Sequence, residues 1–177
     1  GEGARRRVVG QARSVMPPDV RIAAVDLDDP AQAASFLSLL DHYARDPMGG
    51  GDGLHPGVRA RLPAALRMQP GFHGALAWQG ADAVGLINCF TGFSTFAAQA
   101  LLNVHDIVVH QDERGRGIGQ SLLAWAETRA RELGCCKLTL EVLSRNERAM
   151  ASYRRAGFVP YELDPVAGQA MLLQKKL

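Results

Sequence analysis

HDIVVHQDERGRGIGQSLLAWAETRARELG, His105 to Gly134, is the stretch from which the fold can be read. It opens on an apolar run, passes through a turn rich in glycine and arginine, and continues with the apolar period of an amphipathic helix, which predicts strand, loop and helix in succession. Gly115, Gly117 and Gly119 let the backbone turn tightly and come close to a ligand, and they stand where the first unpaired N–H groups of the helix point outward. Such a start suits a phosphate, because free donors and the positive end of the helix dipole are joined there by Arg114 and Arg116. An ordinary glycine-rich turn with solvated arginines has the same pattern, so the rest of the chain must decide.

The 177 residues, 47% hydrophobic and 21% charged, predict one globular domain with a real core. A net charge of +2 is too small for a nucleic-acid surface, and the densest basic run, Arg5 to Arg7, lies in a terminal segment. Cys89, Cys135 and Cys136 are a poor disulfide framework and fit a reducing cytoplasm, and no metal-ligand spacing appears. The apolar runs are too short for a bilayer and no secretory leader is evident, so neither a membrane nor a nucleic acid is expected as a partner.

Residues 1–17 read as a disordered or processed tail, and 18–177 as the domain. A strand at Val20 to Val25 precedes a helix at Ala31 to Arg45, whose inner face carries Phe36, Leu37, Leu39, Leu40 and Tyr43. The glycine-rich Met48 to Gly53 lacks a P-loop lysine and hydroxyl and follows no strand, which makes it a flexible loop on the substrate side. Val58 to Met68 predicts a short helix interrupted at Pro63. Phe72 to Trp78 and Ala83 to Phe90 flank a hairpin turn at Gln79 to Asp82, and Phe93 and Phe96 just beyond are expected in the core. Strand Leu101 to His110, helix Ile118 to Leu133 and strand Lys137 to Leu143 follow. A helix capped by Ser144 or Asn146 then runs to Gly157, before strands Phe158 to Leu163 and Gln169 to Lys175.

Arg114-Gly115-Arg116-Gly117-Ile118-Gly119 resembles the R/Q-x-x-G-x-G/A signature of the GCN5-related N-acetyltransferase (GNAT) superfamily. Asn146 to Phe158, NERAMASYRRAGF, is similar to the N-x-x-A-x-x-x-Y-x-x-x-G-F segment of the same superfamily, at the proper separation. The resemblance covers most of residues 20–177 and implies a mixed α/β fold. Its sheet would be mostly antiparallel, with six or seven strands and about four helices, splayed between the strands at 104–110 and 137–143.

Acetyl-CoA would lie in that splay, as cosubstrate, with no metal. The family's bulged strand assigns the pantetheine arm to backbone groups of Ile107, Val108 and Val109. The pyrophosphate would rest on the amides of Arg114, Gly115, Arg116, Gly117, Ile118, Gly119 and Gln120, with Asn146 contacting the pantetheine or capping its helix. Tyr153 stands at the family's position for the acid beside the CoA sulfur; otherwise it is a core tyrosine. An amine attacks as the free base, so a proton acceptor is needed at neutral pH. In polyamine-type members an acidic residue stands where this chain has His105. His105 as direct base, Asp106 through water and Glu141 on the adjoining strand are the three candidates.

Asp41, Asp46 and Asp52 either attract a cationic acceptor or decorate a solvated helix end. His42, His55, His73 and His110 read as surface or hydrogen-bonded residues. The expected activity is acetyl transfer to a primary amine of a small molecule by direct attack in a ternary complex. The alternatives are acetylation of a protein lysine or N-terminus, and a non-catalytic acyl-CoA sensor. A homodimer is expected from analogy with the fold alone.

Overall fold

The computed structural model describes residues 19–161 and 172–176. Its sheet has five strands in sequence order: β1 (Val20–Ala24), β2 (Phe72–Gln79), β3 (Asp82–Ser94), β4 (Gln99–Val109) and β5 (Leu138–Leu140). The first four pair antiparallel, and β5 runs parallel to β4. Alternation along the strands divides the core in two. Leu76, Leu86 and Val108 face α1 (Pro30–Arg45) and α2 (Pro56–Arg67), while Ala75, Ala77, Ile87 and Cys89 face α3 (Ile118–Glu132). Tyr153, on α4 (Glu147–Arg155), joins the α3 side.

The predicted elements are present, with four differences. The described parts of the expected last two strands, 158–161 and 172–176, are not in the sheet, and the remainder of that pair, like the tail at 1–17, lies outside the described residues. Helix α2 runs through Pro63 without a break. The proline forfeits one helical hydrogen bond, but continuing the helix seats half-buried Leu62 and buried Leu66 against the α1 cluster, and a fully buried leucine contributes about 1.5–3 kcal/mol. Phe93 and Phe96 are exposed rather than in the core. The pairing of β2 ends at Phe72 opposite Phe90, so the β3–β4 ribbon outruns β2 and none of the described residues covers its tip.

The fourth difference lies within the bulge that the resemblance implied: the bulge is present, but it frees the backbone of Ile107 and Val109 and not that of Val108. Asn88 pairs with Asp106 and Cys89 with Val104, leaving His105 as the extra residue of β4. This one-residue slip exchanges the faces. Leu102 and Val104 before it, and Ile107 and Val109 after it, all pack toward α3, while Val108 turns to α1. The backbone changes sides as well. Leu102 N–H donates to Lys137 on the β5 side, whereas His110 N–H donates to Val84 on the β3 side. After the bulge the even-numbered residues therefore bond β3, and the polar groups of Ile107 and Val109 face away from it. The bulge selects these groups, and the early end of β5 leaves them without a strand partner, since β4–β5 pairing stops at Val104 opposite Leu140.

Candidate active site

Where β4 and β5 part, a cleft of about 620 Å³ opens between the glycine loop, α4 and the end of α1. Gly115 and Gly117 adopt φ of +86° and +84°, the left-handed region that other residues enter only with strain. Gly117 is the N-cap of α3, and no side chain caps that helix. By contrast α1, α2 and α4 are capped by Asp29, His55 and Asn146. The N–H groups of the first turn of α3 thus stand free at the cleft wall, with the positive end of the helix dipole behind them. Gly119 keeps the wall flat, and a Cβ there would meet only Val109 Cγ2, at 3.8 Å.

The loop's arginines are already engaged. Arg114 donates from Nε to the Val109 carbonyl (3.1 Å) and from Nη2 to Asp46 Oδ2 (3.3 Å), tying the end of β4 to the end of α1. Arg116 pairs with Glu113 and, at 3.4 Å, with Asp19, and its side chain does not line the cleft. Gln120 donates from Nε2 to the Ser152 carbonyl (2.9 Å) and Oγ (2.8 Å), which fixes α4 against the start of α3. Asn146 Oδ1 accepts from Ala149 N–H; of the two predicted caps, this is the one used. At its other end α4 closes on Gly157, φ +90°, with Phe158 N–H bonded to the Tyr153 carbonyl.

The Tyr153 side chain lies in the cleft with its ring edge-on to Phe158, at 6.0 Å between centroids. Burial, and secondarily the neighbouring Tyr43, pushes its phenol up to about 12. Tyr43 is raised as well, by burial and then by Asp106 and Asp46. Of the predicted residues, Ile107, Val108, Val109, Arg114, Gly115, Gly117, Ile118, Gly119, Gln120, Asn146 and Tyr153 line this one cleft.

The three base candidates do not line it. His105 is exposed, edge-on to Phe90 at 5.4 Å. Glu141 is exposed beyond the end of β5. Asp106 is half-buried and accepts from Asn88 Nδ2 (3.1 Å), while Asn88 Oδ1 is buried without a partner. Asp41 is occupied by Leu54 N–H, Arg45 and Arg59, so it clamps the loop at 49–53 rather than presenting charge. Asp46 is likewise bound by Arg114 and Met48 N–H. His42 and His110 stack at 4.8 Å, and His73 bridges Thr91 and Arg129.

Tyr43, Met48, Glu113, Arg148, Ala149, Ser152 and Arg155 also line the cleft and were not marked out as site residues in the sequence, and Asp46, one of the three carboxylates weighed for a cationic acceptor, lines it too. The inward-facing period of α1 was the available signal for Tyr43, and none pointed to the two arginines. Among the described residues no group of His, Cys, Asp or Glu is arranged to hold a metal ion, and no helix is long and apolar enough to cross a membrane.

Residues 36–158 match the model of the Acetyltransferase (GNAT) family. The chain is 33% identical over 95 residues to an aminoalkylphosphonate N-acetyltransferase of Salmonella typhimurium, covering 54% of this chain and 62% of that one. It is 40% identical over 85 residues to a streptothricin acetyltransferase of Streptomyces lavendulae, covering 46% and 45%. The matches thus span less than two thirds of the length of either relative. Its fold superposes with TM-score 0.73 on an aminoglycoside acetyltransferase from an uncultured soil metagenomic sample, at 15% identity over 90% of this chain and 97% of that one.

Proposed function

The chain belongs to the GNAT acetyltransferase family, and from that premise we propose that it moves an acetyl group from acetyl-CoA to a primary amine of a small molecule. One observation carries this reading: the uncapped start of α3 and the open polar edge of β4 face the same cleft, with Tyr153 between them and α4. The free amides of Ile118, Gly119 and Gln120 fit a pyrophosphate, and the open groups of Ile107 and the N–H of Val109 fit an amide-bearing arm lying along β4 as an added strand. Acetyl-CoA, when bound, supplies the thioester and the thiol leaving group.

The chain's own residues supply the proton transfers. Tyr153, held neutral by burial, is the acid for the departing sulfur. The N–H groups of Ile107 and Val109 are the donors available to an oxygen that gains charge during transfer. Asp106 is the base favoured by the geometry. It is half-buried, held by Asn88 and close enough to Tyr43 to act on its phenol, whereas His105 turns outward toward Phe90. Because Asp106 stands behind the cleft wall, the amine's proton reaches it through water. A small acceptor is supported by the two relatives, whose names specify an aminoalkylphosphonate and streptothricin.

Thiol release from acetyl-CoA across a panel of small primary amines and lysine peptides tests the proposal. Turnover on a small amine is expected. Thermal stabilisation by CoA without turnover on any acceptor would overturn it in favour of a binding module.

A further inference from the structure

Five charged side chains line the cleft: Asp46, Glu113, Arg114, Arg148 and Arg155. Asp46 is paired with Arg114, and Glu113 with Arg116. The arginines of the glycine loop therefore bring little unbalanced charge to a ligand. Arg148 and Arg155 have no ion-pair partner among the described residues, and both are exposed on the face of α4 turned to the cleft. They lie on either side of Ser152, the residue that Gln120 binds from the first turn of α3, so the free cations flank the junction beside the uncapped amides. Seven residues on a helix place them about 10 Å apart along the axis, a gap two long guanidinium side chains can close on one anion.

Helix stability does not account for the pair. Arg155, in the last turn of α4, favours the helix dipole, but Arg148 sits in the first turn, where a cation opposes it. A positive charge placed against the dipole, without a carboxylate partner among the described residues and facing a cleft, is positioned for an external anion.

We infer that Arg148 and Arg155 form a second phosphate site, distinct from the amides of the α3 start, which takes the 3′-phosphate monoester of the donor's nucleotide. The inference rests on the proposed use of acetyl-CoA and adds to it: the protein discriminates CoA from dephospho-CoA through α4. A doubly charged monoester gains more from two guanidinium groups than a diester does, and arginine matches its oxygens in bidentate geometry.

Calorimetric titration of the full chain with CoA and with dephospho-CoA tests this, in the native protein and in Arg148→Gln, Arg155→Gln and the double variant. The native protein is expected to bind CoA roughly 10- to 50-fold more tightly, and the double variant to lose that preference while its Kd for dephospho-CoA stays within about twofold. Equal affinity of the native protein for the two ligands overturns the inference and leaves acetyl transfer standing. Binding of neither ligand overturns both.

An anionic acceptor is the other source of such chemistry. A double variant that keeps the CoA preference but shows a raised KM for aminomethylphosphonate would move the pair to the acceptor and overturn the assignment to the donor. Adenosine 3′,5′-bisphosphate against AMP, competed with CoA on the native protein alone, probes the same discrimination without any variant: the bisphosphate is expected to compete better, and equal competition overturns the inference.

Discussion

At the α3 end of the cleft the groups turned to a ligand are backbone amides, whereas at the α1 end they are side chains already bonded to one another. The glycine loop works through conformation: left-handed Gly115 and Gly117 bring the chain to an uncapped helix start, and Arg116 turns away to Glu113 and Asp19. The α1 end works through internal pairing, with Asp46 holding Arg114 and Met48 N–H. Recognition at the first end should therefore tolerate changes of side chain and fail with changes of φ. At the second, an acceptor must compete with existing ion pairs, so its fit depends on the neutral wall of Tyr43 and Tyr153 more than on the carboxylates.

The largest effect that could break this contrast is at Gly117. A β-branched residue cannot hold φ of +84° without strain, and it would stand where a phosphate approaches the amides. Gly117→Val is expected to weaken CoA binding about 100-fold or more, measured by titration. A loss below tenfold would mean that side chains, rather than backbone conformation, carry donor recognition.

Next comes Tyr153→Phe, which removes the acid while leaving the ring against Phe158; kcat is expected to fall about 100-fold with CoA affinity little changed. With its phenol raised to about 12, Tyr153 stays protonated through the usual assay range, so native kcat should show no alkaline limb from this group. The sign for stability follows from the same shift. The fold favours the neutral phenol, so its contribution is intact below pH 10.0 and is lost as pH rises toward about 12. A Tm of the Phe variant that falls as steeply as the native one across that window would remove Tyr153 as the titrating group.

The loop and the second motif were legible because each is a local run. Glycines followed by an amphipathic period specify a turn and a helix whatever lies elsewhere, and Asn146, Tyr153 and Gly157 hold fixed places along one short helix. That this strand is bulged came with the resemblance, but the place of the bulge at His105 was not legible, because a register slip depends on pairing between β3 and β4, and it decides that Asp106 rather than His105 is held by Asn88. Phe93 and Phe96 read as core from their chemistry alone, but their exposure follows from how far β2 extends beside them. Arg148 and Arg155 gave no signal, since whether a cation is paired is settled only when distant carboxylates take their places.

That slip gives a smaller and sharper test at the α1 end. Asp106→Asn is expected to lower kcat/KM roughly 10- to 100-fold, while His105→Ala stays within about threefold of native. A loss in His105→Ala as large as that expected of Asp106→Asn would reassign the base and show that the exposed face of the bulge is turned toward the acceptor in the working complex.

The smallest effect is expected where the two ends are joined. Arg114 spans them, with Nε on the Val109 carbonyl and Nη2 on Asp46. If donor recognition resides in the amides, Arg114→Ala removes a tie between β4 and α1 but none of those amides, and CoA affinity should fall by less than about tenfold. The released Asp46 would then face the cleft without its counter-ion, so the acceptor end should respond in the opposite sense: KM for a cationic amine should drop by a few-fold, an effect salt would weaken. Asp46→Ala frees the guanidinium instead and should raise that KM. Parallel changes in both variants would show that the clasp serves only to hold α1 against β4. Opposed changes would show that the ion pair keeps the acceptor end neutral, as the contrast between the two ends requires.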